Sequence, residues 1–342
     1  MRKLLVHILL FVVCTNANCQ NQPQALPTLI PQSPDVYSLS KFEETPVSHF
    51  SGVPNISIPI YNFKNRDISI PIGLNYHSGG IKVDEIASSI GLGWSMNVGG
   101  HITRVLKGLP DEESYLKTSD KVTDYINLIN NGNHEETIRL ISKVKKDKTL
   151  DYQPDEFVYN FMGYSGKFVF NQDRSDENPY GEIVMLPESD VKIDFEIEGT
   201  RIINWEITTP NGVKYFFGVN SYSSFESEGG AELLTSTQNI STNSGGHDTY
   251  NTLLCFTSWY LKEIRLLNNQ TIRFNYNVDN FGRASFNSET RRLQPNDHFS
   301  TKSYSSSYGK TSRIKSIEGI NGKVEFNYSD RQDSYEKKIR IY

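Results

Sequence analysis

Cysteine is scarce in this chain, with three in 342 residues. Clustered positive charge, methionine and a second long apolar run are scarce as well. Each shortage excludes something. Cys14 and Cys19 both fall in the first nineteen residues, which leaves Cys255 alone in the remainder. A protein without a disulfide must be held by its own core, so this is not a small stapled scaffold. Cys255, in LLCFTSWYL, reads as a buried small hydrophobe and not as a reactive thiol. The formal charge is -5, and no basic block is longer than the patch Lys143–Lys148. Nucleic acid is thereby excluded as a main partner, because phosphate binding needs a clustered positive face. The one long apolar run is N-terminal, so no transmembrane span is expected.

That run has the form of a secretory signal. Arg2 and Lys3 supply a short positive start, Leu4 to Val13 an apolar stretch broken only by His7, and Thr15-Asn16-Ala17-Asn18-Cys19 an exit. Residues 1–19 are read as a signal peptide, too short to span a membrane. Cleavage after Ala17 and after Cys19 both fit. Neither Cys14 nor Cys19 has before it the small residue that lipidation favours, so a secreted or surface-held protein is expected and not a lipoprotein.

Aromatic residues are plentiful, with 19 Tyr and 18 Phe, which suits half-exposed pleated sheets. Residues 20–45 carry Pro23, Pro27, Pro31 and Pro34 among Gln, Ser and Asn, and read as an extended linker. Residues 46–117 read as an N-terminal β segment. Within it Ile56, Ile58 and Ile60, then Ile68, Ile70 and Ile72, alternate as a hairpin, with Pro59 and Pro71 at edge or bulged positions. Residues 118–150 switch to helical spacing: Ile126 and Ile129, then Ile138, Ile141 and Val144, separated by Asn131-Gly132-Asn133. A small helical hairpin inserted in a β framework is expected, its lysine-rich end a solvated face. Residues 151–342 return to strands, with turns at Gly163–Gly166 and Pro210-Asn211-Gly212. The Ser/Thr/Gly-rich stretch 220–250 reads as a long loop.

An internal repeat occupies the last hundred residues. WYLKEIRLLNNQTIRFNY (259–276) matches SRIKSIEGINGKVEFNY (312–328). Leu261, Ile264, Ile272, Phe274 and Tyr276 align with Ile314, Ile317, Val324, Phe326 and Tyr328, and a looser copy runs from Ile207 to Phe217. Such a unit cannot bury its apolar face alone and must stack on neighbours. The chain closes on KKIRIY, the pattern of a strand interior, so the repeat region is expected to be truncated at its C-terminal end.

Features that look chemical read as structural. GYSGK (163–167) lacks the residue between serine and second glycine that a nucleophile elbow needs, and strands flank it. NQDRSDENPYGE (171–182) has calcium-loop spacing, but Asp176 stands where that loop requires glycine. His49, His77, His101, His134, His247 and His298 show no metal-ligand spacing, and His247 and Asp248 are expected to face solvent. Asp84 and Glu85 are neighbours whose side chains diverge in most geometries; capping a short turn is the expected role. No catalytic residue, cofactor or metal is expected.

The densest signal is LNYHSGGIKVDEIASSIGLGWSMNVGGHITR (74–104). VDEIASSI has the spacing of one or two helical turns, Gly91 and Gly93 call for positive φ or close approach, and Trp94 is expected to plug the corner. Asp84, Glu85, Gly91, Gly93, Trp94 and Arg104 are the structural motif residues. With GLPDE following, then DEFVYNFMGYSGKFVF, ITTPNGVKYFFG and WYLKEIRLLNNQTIRFNY, the chain resembles the N-terminal region of RHS/YD-repeat proteins of the Bacteroidetes type. It is more distantly similar to the SpvB-like start of Tc-toxin B subunits. The resemblance spans roughly residues 50 to 330 and is carried chiefly by the 74–104 block. It implies a mainly β fold of antiparallel hairpin and meander sheets belonging to a hollow shell, with no catalytic residues to carry over. The implied partners are the rest of a longer RHS-like chain or shell and components of a cell surface. The long YD-repeat array of that family is not in these residues. A free-standing extracellular module that binds a glycan or cell-surface ligand is the alternative reading.

Overall fold

The computed structural model describes residues 54–66, 68–79, 87–117, 121–146, 151–173, 180–242, 247–251, 254–294, 297–330 and 337–340. The signal peptide, the Pro-rich linker, Asp84, Glu85 and residues 174–179 of the calcium-like loop lie outside them. The described chain is mostly strand, all of it paired antiparallel.

The first sheet forms where isoleucines alternate. Strands β1 (Asn55–Asn65) and β2 (Ile68–His77) make a hairpin, and β3 (Trp94–Asn97) adds to β2. The register slips between Pro59 and Tyr61, which puts Pro59 at a bulge, where its missing N–H does least harm. Alternation sends Ile70 and Ile72 inward, while Ile58 and Ile60 face out and Phe63 takes the buried side of β1.

The second sheet has thirteen strands. In chain order these are β4 (Gly100–Val105), β5 (Glu156–Phe161), β6 (Tyr164–Phe170), β7 (Ile183–Leu186), β8 (Lys192–Glu198), β9 (Arg201–Thr208), β10 (Lys214–Gly218), β11 (Ala231–Thr242), β12 (His247–Asn251), β13 (Cys255–Arg265), β14 (Thr271–Gln294), β15 (Asp297–Gly319) and β16 (Gly322–Glu325). Its main path runs β12-β11-β15-β14-β13-β4-β5-β6-β7. Strand β13 is the hub, since it also pairs with β10, which leads through β9 to β8. A separate ribbon joins β17 (Asn327–Asp330) to β18 (Lys337–Arg340).

Aromatic alternation explains the core. Phe157, Tyr159 and Phe161 share the inward face of β5, and Phe168 and Phe170 that of β6. They meet Trp205 of β9 and Trp259 of β13. The Phe157 ring lies 5.1 Å from Trp205, Phe168 lies 5.2 Å from it, and the two indoles sit edge to face at 5.4 Å. Each such ring removes roughly 150–250 Å² from water, so this cluster dominates the burial. Cys255 is buried beside it, as expected.

The repeat is reproduced at the level of single hydrogen bonds. Ile264 pairs with Ile272 in the first copy, and Ile317 pairs with Val324 in the second. Tyr276 donates its hydroxyl to the Leu261 carbonyl at 2.6 Å, and Tyr328 donates to the carbonyl of Ile314. Leu261 and Ile314 are the aligned positions, so the same latch closes both hairpins. Between them runs the longest ladder of the fold, β14 on β15, from Arg273 opposite Glu318 to Gln294 opposite Asp297.

Two expectations are corrected. The stretch 220–250 is not a long loop: it holds a short helix at Phe225–Glu228, then β11 and β12. Strand β11 pairs with both β13 and β15, and this tertiary pairing overrides a Ser/Thr/Gly-rich composition that, read locally, signals loop. The β5–β6 turn is Met162–Gly163, with Tyr164 already in strand. Of VDEIASSI, residues 87–90 are not helical and the rest lies outside the described residues. The inserted helices are present, α1 (Val122–Asn130) and α2 (His134–Lys146). Their isoleucines, however, face outward.

Candidate functional site

Of the motif residues, Gly91, Gly93 and Trp94 come together at one corner and Arg104 lies elsewhere. Asp84 and Glu85 are outside the described residues. At the corner, Gly91 has φ 149° and Gly93 φ 72°. A side chain at Gly93 would meet the Tyr76 ring at 2.8 Å and the His77 carbonyl at 3.1 Å. Glycine lets β2 and β3 close there, with the His77 N–H donating to the Gly93 carbonyl at 2.8 Å. Ser88 holds the turn from beneath: its hydroxyl accepts the Ile90 and Gly91 N–H groups and faces the Trp94 carbonyl at 2.7 Å. Trp94 packs over Gly91 and against Tyr76, with ring centroids 5.0 Å apart. Its ring is only partly buried, so it lids the corner without plugging it.

Arg104 is the most unusual residue of the fold. It sits two positions after Ile102 on the inward face of β4, and its side chain is 0% exposed. A guanidinium taken out of water is stable only with carboxylates around it. Glu112 supplies the main pair, its two oxygens accepting from Nη2 at 2.7 and 3.0 Å. Asp155 stands 3.6 Å from Nε, itself fully buried. The flat faces of the guanidinium lie over aromatic rings, 5.0 Å from Phe157 and 5.3 Å from Trp259, where its positive charge meets negative π density.

The turn after β4 brings a third acid into the cluster. Asp111 and Asp155 lock reciprocally: the Asp155 N–H donates to Asp111 Oδ1 at 2.9 Å, and the Asp111 N–H to Asp155 Oδ2 at 3.3 Å. Asp155 Oδ1 also accepts from Lys107 N–H at 2.7 Å, and Glu112 Oε1 from Ile202 N–H at 3.4 Å. The cluster thus joins the β4 turn, the start of β5 and β9. Three carboxyls face one cation, and the electrostatics follow. Burial, reinforced by Asp155, pushes Asp111 up to about 8. Burial raises Asp155 to about 6, with Arg104 and the backbone donors pulling the other way. Burial works against the Arg104 charge, but Glu112 and Asp155 overcome it and hold the guanidinium above its ordinary range. Beside it, burial pushes the Cys255 thiol up to about 12.

Chemically, this arrangement ties three chain segments together and presents none of its groups to solvent. Arg104 is a motif residue of the sequence, whereas its partners did not stand out there. A signal was available: an arginine in phase with Ile102 on an inward strand face demands buried acids, and Pro-Asp-Glu occurs at both 110–112 and 154–156. Ser165 is exposed in β6. Among the described residues, no group of three or more His, Cys, Asp or Glu could hold a metal ion. No helix among them is long and apolar enough to cross a membrane, which says nothing of a β barrel.

A concave surface does adjoin the corner. A cleft of about 280 Å³ is lined by Trp94, His101, Tyr260, Tyr276, Arg313 and Tyr328, with serines and aliphatic residues between them.

No protein-family model and no curated protein matches the chain. Among solved structures, the crystal structure of TcdB2-TccC3 is similar over 85% of this chain and 12% of its own, at 14% identity and a TM-score of 0.37. The structure of TcdB2-TccC3-Cdc42 is similar over 84% of this chain and 15% of its own, at 12% identity and a TM-score of 0.33. The likeness is distant, and the chain spans under a sixth of the length of either.

Proposed function

We propose that this chain is a non-enzymatic, exported structural segment of an RHS/YD-repeat-like surface or toxin-shell protein. The observation that carries the reading is the duplicated latch, Tyr276 on Leu261 and Tyr328 on Ile314. It defines a hairpin unit that copies itself along the chain and stacks through β14 and β15, the construction that an extended β wall requires. The sealed state of the Arg104 cluster supports the same reading, since its acids tie segments together and touch no dissolved substrate. Export rests on the N-terminal signal pattern. Electron cryo-microscopy of the native product tests the proposal. The expected result is residues 54–340 set in the wall of a hollow β shell, among further tyrosine-latched hairpins. A free-standing globule would overturn it.

The aromatic cleft beside Trp94 favours a second reading, a module that binds a glycan. Aromatic faces stack on sugar rings, and Ser95, His101 and Arg313 would supply polar contacts at the rim. A glycan array probed with the purified chain tests this, with Trp94→Ala as control. Binding lost in that variant supports the module, and an array without signal removes it.

A further inference from the structure

The helical hairpin shows an anomaly that neither reading explains. Ile126 and Ile129 on α1 are 49% and 56% exposed, and Ile138 and Ile141 on α2 are 64% and 61% exposed. Four large aliphatic side chains left this exposed on one short helical hairpin are more than scattered surface hydrophobes account for. Their spacing is regular. Val122, Ile126 and Ile129 follow one another by four and three, and His134, Ile138, Ile141 and Lys145 by four, three and four. That is the seam spacing of helices that pack lengthwise on other helices.

Charge identifies the occupant. Helix α2 is acidic in its first turn, at Glu135 and Glu136, and its last turn carries Lys143, Lys145 and Lys146. A partner surface of one charge sign would be attracted at one end of α2 and repelled at the other. A second α2 running antiparallel satisfies both ends at once. Ile138 of each copy then lies opposite Ile141 of the other, and each acidic first turn faces the other's lysine-rich last turn. We propose that the hairpin α1–α2 docks on the same hairpin of a second copy of this chain, about a two-fold axis, as a four-helix contact. The apolar area is below that of a standard stable interface, so the contact is concentration-dependent and weak on its own.

Sedimentation velocity of the full chain over a wide concentration range tests this, with circular dichroism as the folding control. The wild type is expected to shift reversibly from monomer to dimer. Ile138→Glu with Ile141→Glu is expected to weaken that association by tenfold or more at unchanged dichroism. The charge pattern gives a second test that does not touch the apolar seam. Glu135→Lys with Glu136→Lys should dissociate the dimer, as should Lys143→Glu with Lys145→Glu and Lys146→Glu, and mixing the two variants should restore it as a heterodimer. A wild type that stays monomeric throughout would overturn the proposal, as would a dimer indifferent to the isoleucine changes or charge variants that do not recombine. Flotation with phosphatidylglycerol vesicles covers the competing occupant: vesicle binding that depends on Ile138 and Ile141, with no dimer, would make the surface a lipid face and sink the two-fold contact.

Discussion

Trp94 and the pair Trp205 and Trp259 mark two regions built on different principles. Trp205 and Trp259 are fully enclosed, ringed by phenylalanines and, for Trp259, by the Arg104 guanidinium. The Trp259 indole N–H donates to the Ile202 carbonyl at 3.0 Å, so even its polar atom is used. Trp94 sits on a glycine-shaped corner with one aromatic neighbour and part of its ring in water. The corner is specified by backbone, through Gly91, Gly93 and Ser88. The core is specified by side chains, aromatic rings around one buried cation. Sequence density and structural weight therefore fall in different places: the block richest in glycine shapes a lid, while dispersed residues of β4, β5, β9 and β13 hold the fold.

Substitutions can break this comparison, beginning with the core. Arg104→Ala leaves Glu112 and Asp155 buried without their cation, so a loss of about 3–5 kcal/mol is expected in denaturant unfolding. Trp259→Ala opens a cavity against Trp205 and Phe157 and is expected to cost about 3–5 kcal/mol as well. A loss below about 1 kcal/mol in either variant would move the structural weight away from this cluster.

The same cluster makes stability depend on pH in an unusual direction. Asp111 and Asp155 have folded values of about 8 and about 6, above the ordinary 3.8. The unfolded chain thus releases these protons more readily than the folded one. Their contribution is complete below the ordinary carboxylate value and is lost as pH rises through the two folded values. Stability is expected to fall by about 2 kcal/mol or more between about pH 5 and about pH 9. Asp111→Asn, which keeps an oxygen for the Asp155 N–H and removes the charge, should flatten the upper part of that fall. Melting curves across pH check both, and a flat wild-type profile would contradict the assignment.

Smaller effects sharpen the contrast between copies and between regions. Tyr276→Phe removes a buried hydroxyl bond and should cost about 1 kcal/mol; Tyr328→Phe, at a partly exposed position, should cost less. An equal or larger loss at Tyr328 would reverse the order of the two hairpins. Trp94→Ala is expected to cost about 1 kcal/mol, a fraction of the loss at Trp259, because the ring is partly solvated.

Much of the fold was legible where periodicity was strong. The alternation of Ile68, Ile70 and Ile72, the aromatic faces of DEFVYNF and KFVF, the Asn211-Gly212 turn and the helical spacing around Ile138 all name their own elements. The aligned tyrosines at 276 and 328 anticipated a repeated unit, although only the structure shows what their hydroxyls do. Strand β11 was hidden because its pairing comes from β13 and β15, which local composition does not encode. The direction of the isoleucines on α1 and α2 was equally hidden, because helical periodicity fixes a stripe without saying whether anything covers it. For the acid cluster, Arg104 was visible as a motif residue. Its partners, Asp111 and Glu112 on one side and Asp155 on the other, are separated by the whole helical insertion and meet only in three dimensions.

Hydrogen exchange across the native chain tests the central claim most directly, since it ranks local stability segment by segment. If the cluster of Arg104, Trp205 and Trp259 holds the fold, the slowest amides lie in β4, β5, β9 and β13, and residues 88–97 exchange well before them. Slowest exchange in residues 88–97, with β4 and β13 opening first, would contradict the account and return the structural weight to the glycine corner.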